Sequence, residues 1–454
     1  MNIHFIAIGG SAMHNLAIAL HKKGYHVTGS DDEIFDPALT RLKNHGLLPE
    51  QYGWFPEKLS KSVDALILGM HARGDNPELA RAKELGLKIF SYPEFLYEQG
   101  KDKLRVVIGG SHGKTSITAM ILHVLKLAGV DTDYMVGAQL DGFDVMVKLS
   151  NSAKYMVIEG DEYLTSALDR RPKFHVYQPD IALISGIAWD HMNVFPTFDN
   201  YVEQFRIFAG LVPEGGALVY CAEDEMVVKV AAETPGNVRK IAYGIPEFFV
   251  EDGVTILQTT CGDFRLQVFG RHNLMNIEGA RNVCNLLGVD DHTFYSAIAS
   301  YKGANNRLEL LQSNGTTSVF RDFAHAPSKL KATINAAKEQ YPGRKLTACF
   351  ELHTYSSLNK DFLYQYRDSM NESDEAIVFF SHHALELKKL PALSALDIEF
   401  AFNNTKLQVF TDSAKLREKL LKQNWKNRNL LMMSSGNFEG LNVRLLAEEV
   451  AAAR

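Results

Sequence analysis

Short apolar runs alternate with amphipathic stretches along the whole chain, an order that is typical of parallel α/β units. Each apolar run predicts a buried strand. The runs lie at residues 3–8, 25–28, 65–68, 88–90, 104–108, 154–158, 181–184, 216–221, 318–323, 345–350, 375–380 and 429–433. The pattern therefore predicts an α/β fold in which helices cover mostly parallel sheets.

The length of 454 residues exceeds what one hydrophobic core serves and suggests about three domains. The order of the apolar runs along the chain indicates where the domain boundaries lie. We expect a Rossmann-like domain at residues 1–103, a central sheet at 104–302, and a doubly wound, Rossmann-like sheet at 303–454. The linkers must be short, because the sequence has no low-complexity tract between these segments.

Residues 108–116 read IGGSHGKTS and stand between an apolar run and a helical pattern. The pattern puts one apolar face on the helix, made of Ile117, Met120, Ile121, Val124, Leu125 and Ala128. A glycine-rich turn at a helix N-terminus presents N–H groups to an anion, and its lysine reaches the outer phosphates of a nucleotide. The central sheet is therefore of the P-loop type, with Ile108 in place of a consensus glycine. The candidate phosphate-binding residues are Gly110, Ser111, His112, Gly113, Lys114, Thr115 and Ser116. The alternative is an ordinary turn between strand and helix.

The first segment opens like a Rossmann unit, with an apolar run, the turn Gly9-Gly10, a helix, and a second strand before Asp31. Ile8 and Met13 occupy glycine places of the dinucleotide fingerprint. The sequence therefore does not support nicotinamide chemistry, although a phosphate-bearing ligand can still bind there.

Polar residues follow two further predicted strands. Glu159 comes directly after the run at 154–158, and His191 follows the run at 181–184. Ligands of open α/β sheets bind outside the carboxyl ends of the strands, and Mg²⁺ prefers oxygen ligands. We therefore expect Thr115, Glu159 and His191 to hold a metal. The alternatives are a solvated acidic loop and a structural histidine.

Further candidates lie toward the C-terminus. Asn273 and Asn276 share a helical face, and their amides can read an adenine edge, although a helix N-cap is the alternative. Arg307 could stabilise a transferring phosphoryl group or simply pair with an acid. Asp322 could accept from a ribose hydroxyl and His325 could contact a carboxylate, but either could cap the following helix.

The net charge of −6 argues against a nucleic-acid or membrane-surface partner. No apolar run is long enough to span a bilayer, and the N-terminus lacks the pattern of a signal peptide. The cysteines, Cys221, Cys261, Cys284 and Cys349, form neither a disulfide framework nor a zinc pattern. We expect a cytoplasmic, reduced protein, without membrane insertion.

Taken in order, these motifs resemble the Mur ligase family, the ATP-dependent amide ligases of peptidoglycan assembly. The matching residues are the loop at 110–115, Glu159, the run at 190–193, the run at 270–273 with Asn276, Arg307 and the run at 322–327. The resemblance implies ATP and Mg²⁺ as cofactors. It makes Lys114, Glu159, His191 and Arg307 catalytic, counts Arg307 among the ATP contacts, and seats the adenosine on Asn273, Asn276 and Asp322.

The resemblance also implies the reaction. A carboxylate attacks the γ-phosphorus of ATP, and an amine then displaces phosphate from the resulting acyl phosphate. The family has a second histidine where this chain has Ala326, and residues 205–208 lack the lysine that some members carbamylate. The acceptor pocket is expected around residues 351–355 and Asn437.

The first domain is similar to the type that binds UDP-N-acetylmuramate. The implied contacts are Gly10, Ser11, Ala12, Met13, Asp31 and His71. The runs at 159–163, at 169–174 with Tyr177, and at 433–440 are similar to the murein peptide ligase branch, and Tyr163 stands where the alanine-adding branch has serine.

We therefore expect ligation of UDP-N-acetylmuramate to the recycled tripeptide L-alanyl-γ-D-glutamyl-meso-diaminopimelate, by a monomer or weak homo-oligomer. A UDP-N-acetylmuramate–L-alanine ligase is the alternative. A non-ligating regulatory P-loop ATPase is less favoured, because a switch needs no such metal-binding edge.

Overall fold

The computed structural model describes residues 1–70, 72, 74–140, 143, 145–166, 169–189, 194–304 and 306–452. These residues form two compact units. The first comprises the described residues of 1–189, 194–244 and 277–297, and the second those of 245–276 and 298–452.

Two parallel-rich sheets make up the first unit. The N-terminal sheet has the strand order β2-β1-β3-β4, and all its pairs are parallel. Its strands are β1 (Asn2–Ile6), β2 (His26–Ser30), β3 (Ala65–Leu68) and β4 (Ile89–Ser91). Its helices are α1 (Ser11–Lys22), α2 (Ala38–Asn44), α3 (Pro77–Glu84) and α4 (Tyr92–Gly100), with a 3₁₀ turn at Pro56–Lys58.

The second sheet of this unit has seven strands in the order β11-β10-β9-β5-β8-β6-β7, and only the β6–β7 pair is antiparallel. Its strands are β5 (Leu104–Gly109), β6 (Thr132–Met135), β7 (Val147–Lys148), β8 (Tyr155–Glu159), β9 (Ile181–Ile184), β10 (Ala217–Cys221) and β11 (Arg239–Tyr243). Its helices are α5 (Lys114–Leu127), α6 (Lys173–Val176), α7 (Phe198–Gly210) and α8 (Glu225–Glu233). The chain passes between the units through α9 (Arg271–Leu286) and α10 (Asp291–Ile298).

The second unit combines a small antiparallel sheet with a larger, mostly parallel one. The small sheet contains β12 (Phe248–Glu251), β13 (Val254–Thr259) and β14 (Gly262–Arg265). The large sheet has the order β15-β16-β20-β17-β18-β19, with β15 antiparallel to its neighbour. Its strands are β15 (Glu309–Ser313), β16 (Ser318–Asp322), β17 (Lys345–Leu352), β18 (Glu375–Phe380), β19 (Leu407–Phe410) and β20 (Arg428–Met433). Its helices are α11 (Pro327–Gln340), α12 (Tyr355–Leu358), α13 (His382–Leu387), α14 (Ala395–Phe402), α15 (Ser413–Leu421) and α16 (Val443–Ala452), with a 3₁₀ turn at Leu363–Tyr366.

The predicted α/β class is confirmed, because each apolar run coincides with a parallel strand. The strands that the apolar runs did not predict are β6, β7, β11 to β15 and β19. β6 carries the fully buried Asp133, β12 and β14 have no buried residue, and β13 has three buried residues in a row, 255–257. The proposed domain boundaries stay predictions. No helix in the described part of the chain is long and apolar enough to cross a membrane.

Helix α5 differs from its predicted one-sided pattern. Ten of its residues are buried, among them Thr115, Ser116 and Thr118, so the helix is enclosed on nearly all sides. Ala128 lies beyond its last turn and is only half-buried. This enclosure fixes the N-terminus of α5 firmly at the carboxyl edge of β5.

Candidate functional site

The glycine-rich loop between β5 and α5 folds tightly against the end of β9. Gly110 and Gly113 have φ of 135° and 82°, a region that glycine enters without steric cost. A Cβ on Gly110 would overlap the Ser185 hydroxyl. The Ser111 N–H donates to the Gly186 carbonyl at 2.9 Å, and the Ser185 hydroxyl donates to the His112 carbonyl. The loop is thus held at the sheet edge with α5 directly behind it.

The Lys114 ammonium is already fixed by two acceptors. Its Nζ donates to the Gly110 carbonyl at 2.6 Å and to Glu162 Oε2 at 2.7 Å. Burial alone would lower the pKa of Lys114, but the negative charges of Glu162 and Asp161 outweigh burial and raise it. The lysine is therefore a permanent cation, and an ammonium has a third N–H for a phosphate oxygen.

Thr115 and Glu159 lie together, as the sequence predicted. The Thr115 hydroxyl donates to Glu159 Oε1 at 2.6 Å, and the Gly137 N–H donates to Oε2 at 2.6 Å. Burial, followed by the charge of Asp161, raises the pKa of Glu159 despite these two donors. A buried carboxylate beside a hydroxyl is an oxygen-rich pair that suits a hard cation such as Mg²⁺.

The third expected metal ligand, His191, lies outside the described residues. Within the described ranges, no group of three or more histidine, cysteine or acidic side chains is close enough to hold a metal ion by itself. The donors that the structure describes are therefore Thr115 and Glu159, and a cation there would need phosphate or water oxygens as well.

A layer of hydrogen-bonded side chains lies behind the loop, and the sequence did not predict it. The Tyr201 hydroxyl, on α7, lies 2.8 Å from Ser111 Oγ and donates to Glu162 Oε1 at 3.4 Å. The Ala188 N–H donates to Ser111 Oγ at 2.9 Å. Glu162 stood in a recognised motif, but only the fold brings α7 beneath the loop, so no local signal pointed to Tyr201.

The predicted UDP-sugar contacts surround the turn between β1 and α1. The Gly9 N–H donates to Asp31 Oδ2 at 2.7 Å, so the carboxylate braces the turn. Burial raises the pKa of Asp31 even though Gly9 binds it. Gly10 is the N-cap of α1, Ser11 and Ala12 are exposed in its first turn, and Met13 is buried in the core. His71 lies outside the described residues.

The segment after β6 links this turn to the central sheet within the first unit. Asn15 Oδ1, on α1, accepts from the Met146 N–H at 3.2 Å. Arg41, on α2, donates to Gln139 Oε1 at 2.8 Å. The same segment includes Gly137, whose N–H donates to Glu159 Oε2. The candidate metal ligand and the N-terminal turn are therefore braced by one stretch of chain.

In the second unit, the candidate adenosine residues are engaged within the protein. Asn273 Nδ2 donates to the Phe269 carbonyl at 2.9 Å, and Asn276 is buried one turn later in α9. Asp322 Oδ2 accepts from the Leu308 N–H at 2.6 Å, and Oδ1 accepts from the Ala324 N–H at 2.7 Å and the Thr333 hydroxyl at 3.3 Å. Asp322 thus fixes the backbone directly after Arg307.

Arg307 itself is stacked rather than paired. Its guanidinium lies 4.4 Å from the centre of the Phe323 ring, and Nη1 donates to the Asn306 carbonyl at 3.4 Å. No carboxylate among residues 306–452 or the other described ranges forms an ion pair with it. The alternative of an arginine paired with a nearby acid therefore finds no support, and its charge stays available to an anionic ligand.

The expected acceptor region forms a cluster at the carboxyl ends of β17 and β20. Glu351 is buried, accepts from the Phe438 N–H at 2.8 Å, and also accepts from the Ser434 hydroxyl. His353 Nδ1 lies 3.7 Å from Glu351 Oε1. Asn437 directly precedes Phe438, whose N–H donates to Glu351.

Comparison with known proteins identifies the family of each segment. Sequence profiles match at residues 2–103 (Mur ligase family, catalytic domain), 108–284 (Mur ligase middle domain) and 306–436 (Mur ligase, glutamate ligase domain). A UDP-N-acetylmuramate–L-alanine ligase of Caldanaerobacter subterraneus subsp. tengcongensis is 31% identical, over 98% of this chain and 97% of its own. Further relatives at 27–32% identity have the same name.

Two solved structures share the fold. The UDP-N-acetylmuramate–alanine ligase of Thermotoga maritima superposes with a TM-score of 0.71 at 19% identity, covering 99% of this chain and 98% of that one. The murein peptide ligase of Psychrobacter arcticus 273-4 gives 0.65 at 24% identity, covering 100% and 99%. These likenesses establish the three-domain α/β architecture but do not separate the two branches.

The expectation of the recycling reaction is wrong, since the full-length relatives are alanine ligases. Tyr163 therefore does not identify the acceptor, despite the likeness of its run to the recycling branch. Its ring is exposed and lies 5.8 Å from Lys173 Nζ, at a surface loop rather than in the buried layer behind Lys114. The chain belongs to the Mur ligase family and is an ATP-dependent ligase that forms a C–N bond.

Proposed function

We propose that this ligase joins L-alanine to UDP-N-acetylmuramate at the expense of ATP. The observation that carries the proposal is the 31% identity, over 98% of the chain, to a UDP-N-acetylmuramate–L-alanine ligase. The geometry of the loop at Lys114 supports the nucleotide half of this reaction, because a fixed cation and a row of backbone N–H groups face one sheet edge.

The charged residues of the site have different proposed roles in binding ATP. Lys114 and the loop N–H groups hold the β- and γ-phosphates, while Arg307 offers a second cation to the transferring phosphoryl group. Thr115 and Glu159, with His191 from the sequence, hold Mg²⁺, which when bound neutralises charge on the phosphates. Asn273, Asn276 and Asp322 are proposed to border the adenosine.

The chemistry proceeds in two steps. A muramate carboxylate oxygen attacks the γ-phosphorus, ADP leaves, and an acyl phosphate forms. The amine of L-alanine then attacks the acyl carbon, loses a proton, and expels inorganic phosphate from the tetrahedral intermediate, leaving an amide. Exclusion of water from the acyl phosphate prevents its hydrolysis.

The two organic substrates are proposed to bind at separate edges. UDP-N-acetylmuramate binds at the turn formed by residues 10–13 and Asp31, where the N-terminus of α1 faces the diphosphate. The acceptor binds near Glu351 and His353, because a buried carboxylate attracts an ammonium group before it is deprotonated.

Phosphate release from ATP with Mg²⁺ and UDP-N-acetylmuramate tests the choice of acceptor. One reaction receives L-alanine and a parallel reaction receives the tripeptide L-alanyl-γ-D-glutamyl-meso-diaminopimelate. We expect phosphate and a new UDP product with L-alanine. Turnover with the tripeptide alone would overturn the proposal, and phosphate release without any amine would indicate a plain ATPase.

A further inference from the structure

One chain of hydrogen bonds joins three strand ends behind the phosphate loop. It starts at the Ala188 N–H after β9 and passes to Ser111 Oγ at 2.9 Å. It continues to the Tyr201 hydroxyl at 2.8 Å and ends at Glu162 Oε1, 3.4 Å further on. The other oxygen of Glu162 accepts from Lys114. The loop serine and the loop lysine are thus connected through a residue of α7.

The donors in this chain all point the same way. An amide N–H can only donate and an ionised carboxylate can only accept. The Ser111 hydroxyl therefore donates to Tyr201, and the Tyr201 hydroxyl donates to Glu162. Hydrogen bonds aligned toward an anion polarise one another, which strengthens the hold on the carboxylate.

The phenol at the centre of this chain is rigid. Tyr201 is fully buried, and its ring packs 5.3 Å from Phe195 and 5.2 Å from Phe205, measured between ring centres. The Thr197 hydroxyl caps the same helix by accepting from the Asn200 N–H at 3.2 Å. Tyr201 therefore fixes where the Glu162 carboxylate stands.

We propose that Glu162, held by Tyr201, is a positioning residue that aims Lys114 before the nucleotide binds. This inference rests on the proposed role of Lys114. It has a two-sided consequence. A carboxylate 2.7 Å from the ammonium repels an incoming polyphosphate, yet it also keeps the ammonium in place for phosphoryl transfer. Glu162 therefore weakens nucleotide binding and accelerates the chemical step.

The variant Glu162→Gln separates these two effects. Its amide keeps the shape of the side chain but removes the charge. We expect the dissociation constant for MgADP, measured by calorimetry, to fall about threefold or more while kcat falls about 10-fold. A variant that is partly unfolded would instead bind MgADP more weakly and also have a lower kcat. Unchanged or weaker MgADP binding, or an unchanged kcat, would overturn the proposal.

The variant Tyr201→Phe tests the positioning part alone. It removes the hydroxyl while the aromatic packing stays, so we expect a kcat lower by about five- to tenfold with MgADP affinity within about twofold of the wild type. Tyr243→Phe is the matched control, because Tyr243 is also buried but its hydroxyl has no hydrogen-bond partner among the described residues. A kcat for Tyr201→Phe equal to that of Tyr243→Phe would overturn the proposal even if Glu162→Gln did not fold.

Failure of this inference can be told from failure of the proposed function. If Lys114→Ala keeps its activity, the phosphate site itself is misassigned. If Lys114→Ala is inactive while Glu162→Gln and Tyr201→Phe match the wild type, the phosphate site stands and only the positioning role of Glu162 is wrong.

Discussion

Glu162 and Asp322 are buried acids at the carboxyl edges of the two large sheets, and their hydrogen-bond partners differ in kind. At the edge of the seven-stranded sheet, Glu162 accepts from two side chains, Lys114 and Tyr201, and Glu159 accepts from the Thr115 hydroxyl and the Gly137 N–H. At the edge of the six-stranded sheet, Asp322 accepts mainly from the backbone N–H groups of Leu308 and Ala324, and Glu351 accepts from the Phe438 N–H and the Ser434 hydroxyl. Glu162 can exchange its side-chain partners for a ligand, whereas Asp322 is part of the backbone scaffold, and Glu159 and Glu351 lie between these two cases.

The difference teaches which acids to assign to chemistry. A carboxylate that holds backbone N–H groups cannot leave them without exposing unpaired donors, a loss of about 1–3 kcal/mol for each group. A carboxylate bound to a lysine or a hydroxyl loses less, because those side chains can turn to a phosphate or a cation. Predictions that separate the two edges follow from this contrast.

The largest effect is expected at Lys114. Lys114→Ala removes the fixed cation beneath the phosphates, and we expect kcat to fall by about 10³-fold or more. Phosphate release at saturating ATP and UDP-N-acetylmuramate measures it, with circular dichroism as the control for folding. Near-normal turnover would contradict the assignment of this edge to phosphoryl transfer.

The next pair of variants contrasts the two edges directly. Glu159→Gln can still accept from the Gly137 N–H while its amide N–H₂ turns to Thr115, so we expect a loss of about 10²-fold in kcat and a free energy of unfolding within about 1 kcal/mol of the wild type. Asp322→Asn instead sets an N–H₂ group against a donor, either Leu308 N–H or Ala324 N–H.

For Asp322→Asn we therefore expect the free energy of unfolding to fall by about 2–4 kcal/mol. Thermal melting of both variants gives the comparison. A destabilised Glu159→Gln together with an unchanged Asp322→Asn would reverse the roles of the two edges.

A smaller effect is expected on how stability depends on pH. His175, on α6, is buried and donates from Nε2 to the Gln204 carbonyl at 2.7 Å. Burial lowers the pKa of His175 below its ordinary value of 6.5, so the unfolded chain binds a proton more readily than the folded one. Stability from this residue is thus complete above pH 6.5 and is lost as the pH falls below it.

The variant His175→Gln keeps an N–H₂ donor but cannot be protonated. We expect the melting temperature of the wild type to drop more steeply than that of His175→Gln between pH 7 and pH 5. Parallel slopes would show that His175 is not buried as a neutral ring.

The sequence predicted the strands that have continuous apolar runs, because a strand buried on both faces needs apolar residues at every position. β3, β9 and β18 have the predicted bounds. The same reasoning found the loop at Lys114 and the pairing of Thr115 with Glu159, since both depend on the ends of parallel strands.

Two kinds of feature could not be predicted from the sequence. Strands such as β6 and β12 are partly polar or half-exposed, so their period is weak. Tyr201 acts across a separation of 90 residues from Ser111, and only packing of α7 against the sheet brings them together. The acceptor was predicted wrongly, because the runs that resemble the recycling branch are short, whereas the likeness to an alanine ligase extends over 98% of the chain.

The most direct measurement of the central claim follows an oxygen atom through the reaction. UDP-N-acetylmuramate labelled with ¹⁸O in its carboxylate is incubated with ATP, Mg²⁺ and L-alanine, and the released phosphate is analysed by mass spectrometry. Ligation through an acyl phosphate predicts one ¹⁸O atom in each phosphate, together with one UDP-linked amide product. Phosphate without label, or released without an amide product, would contradict the account.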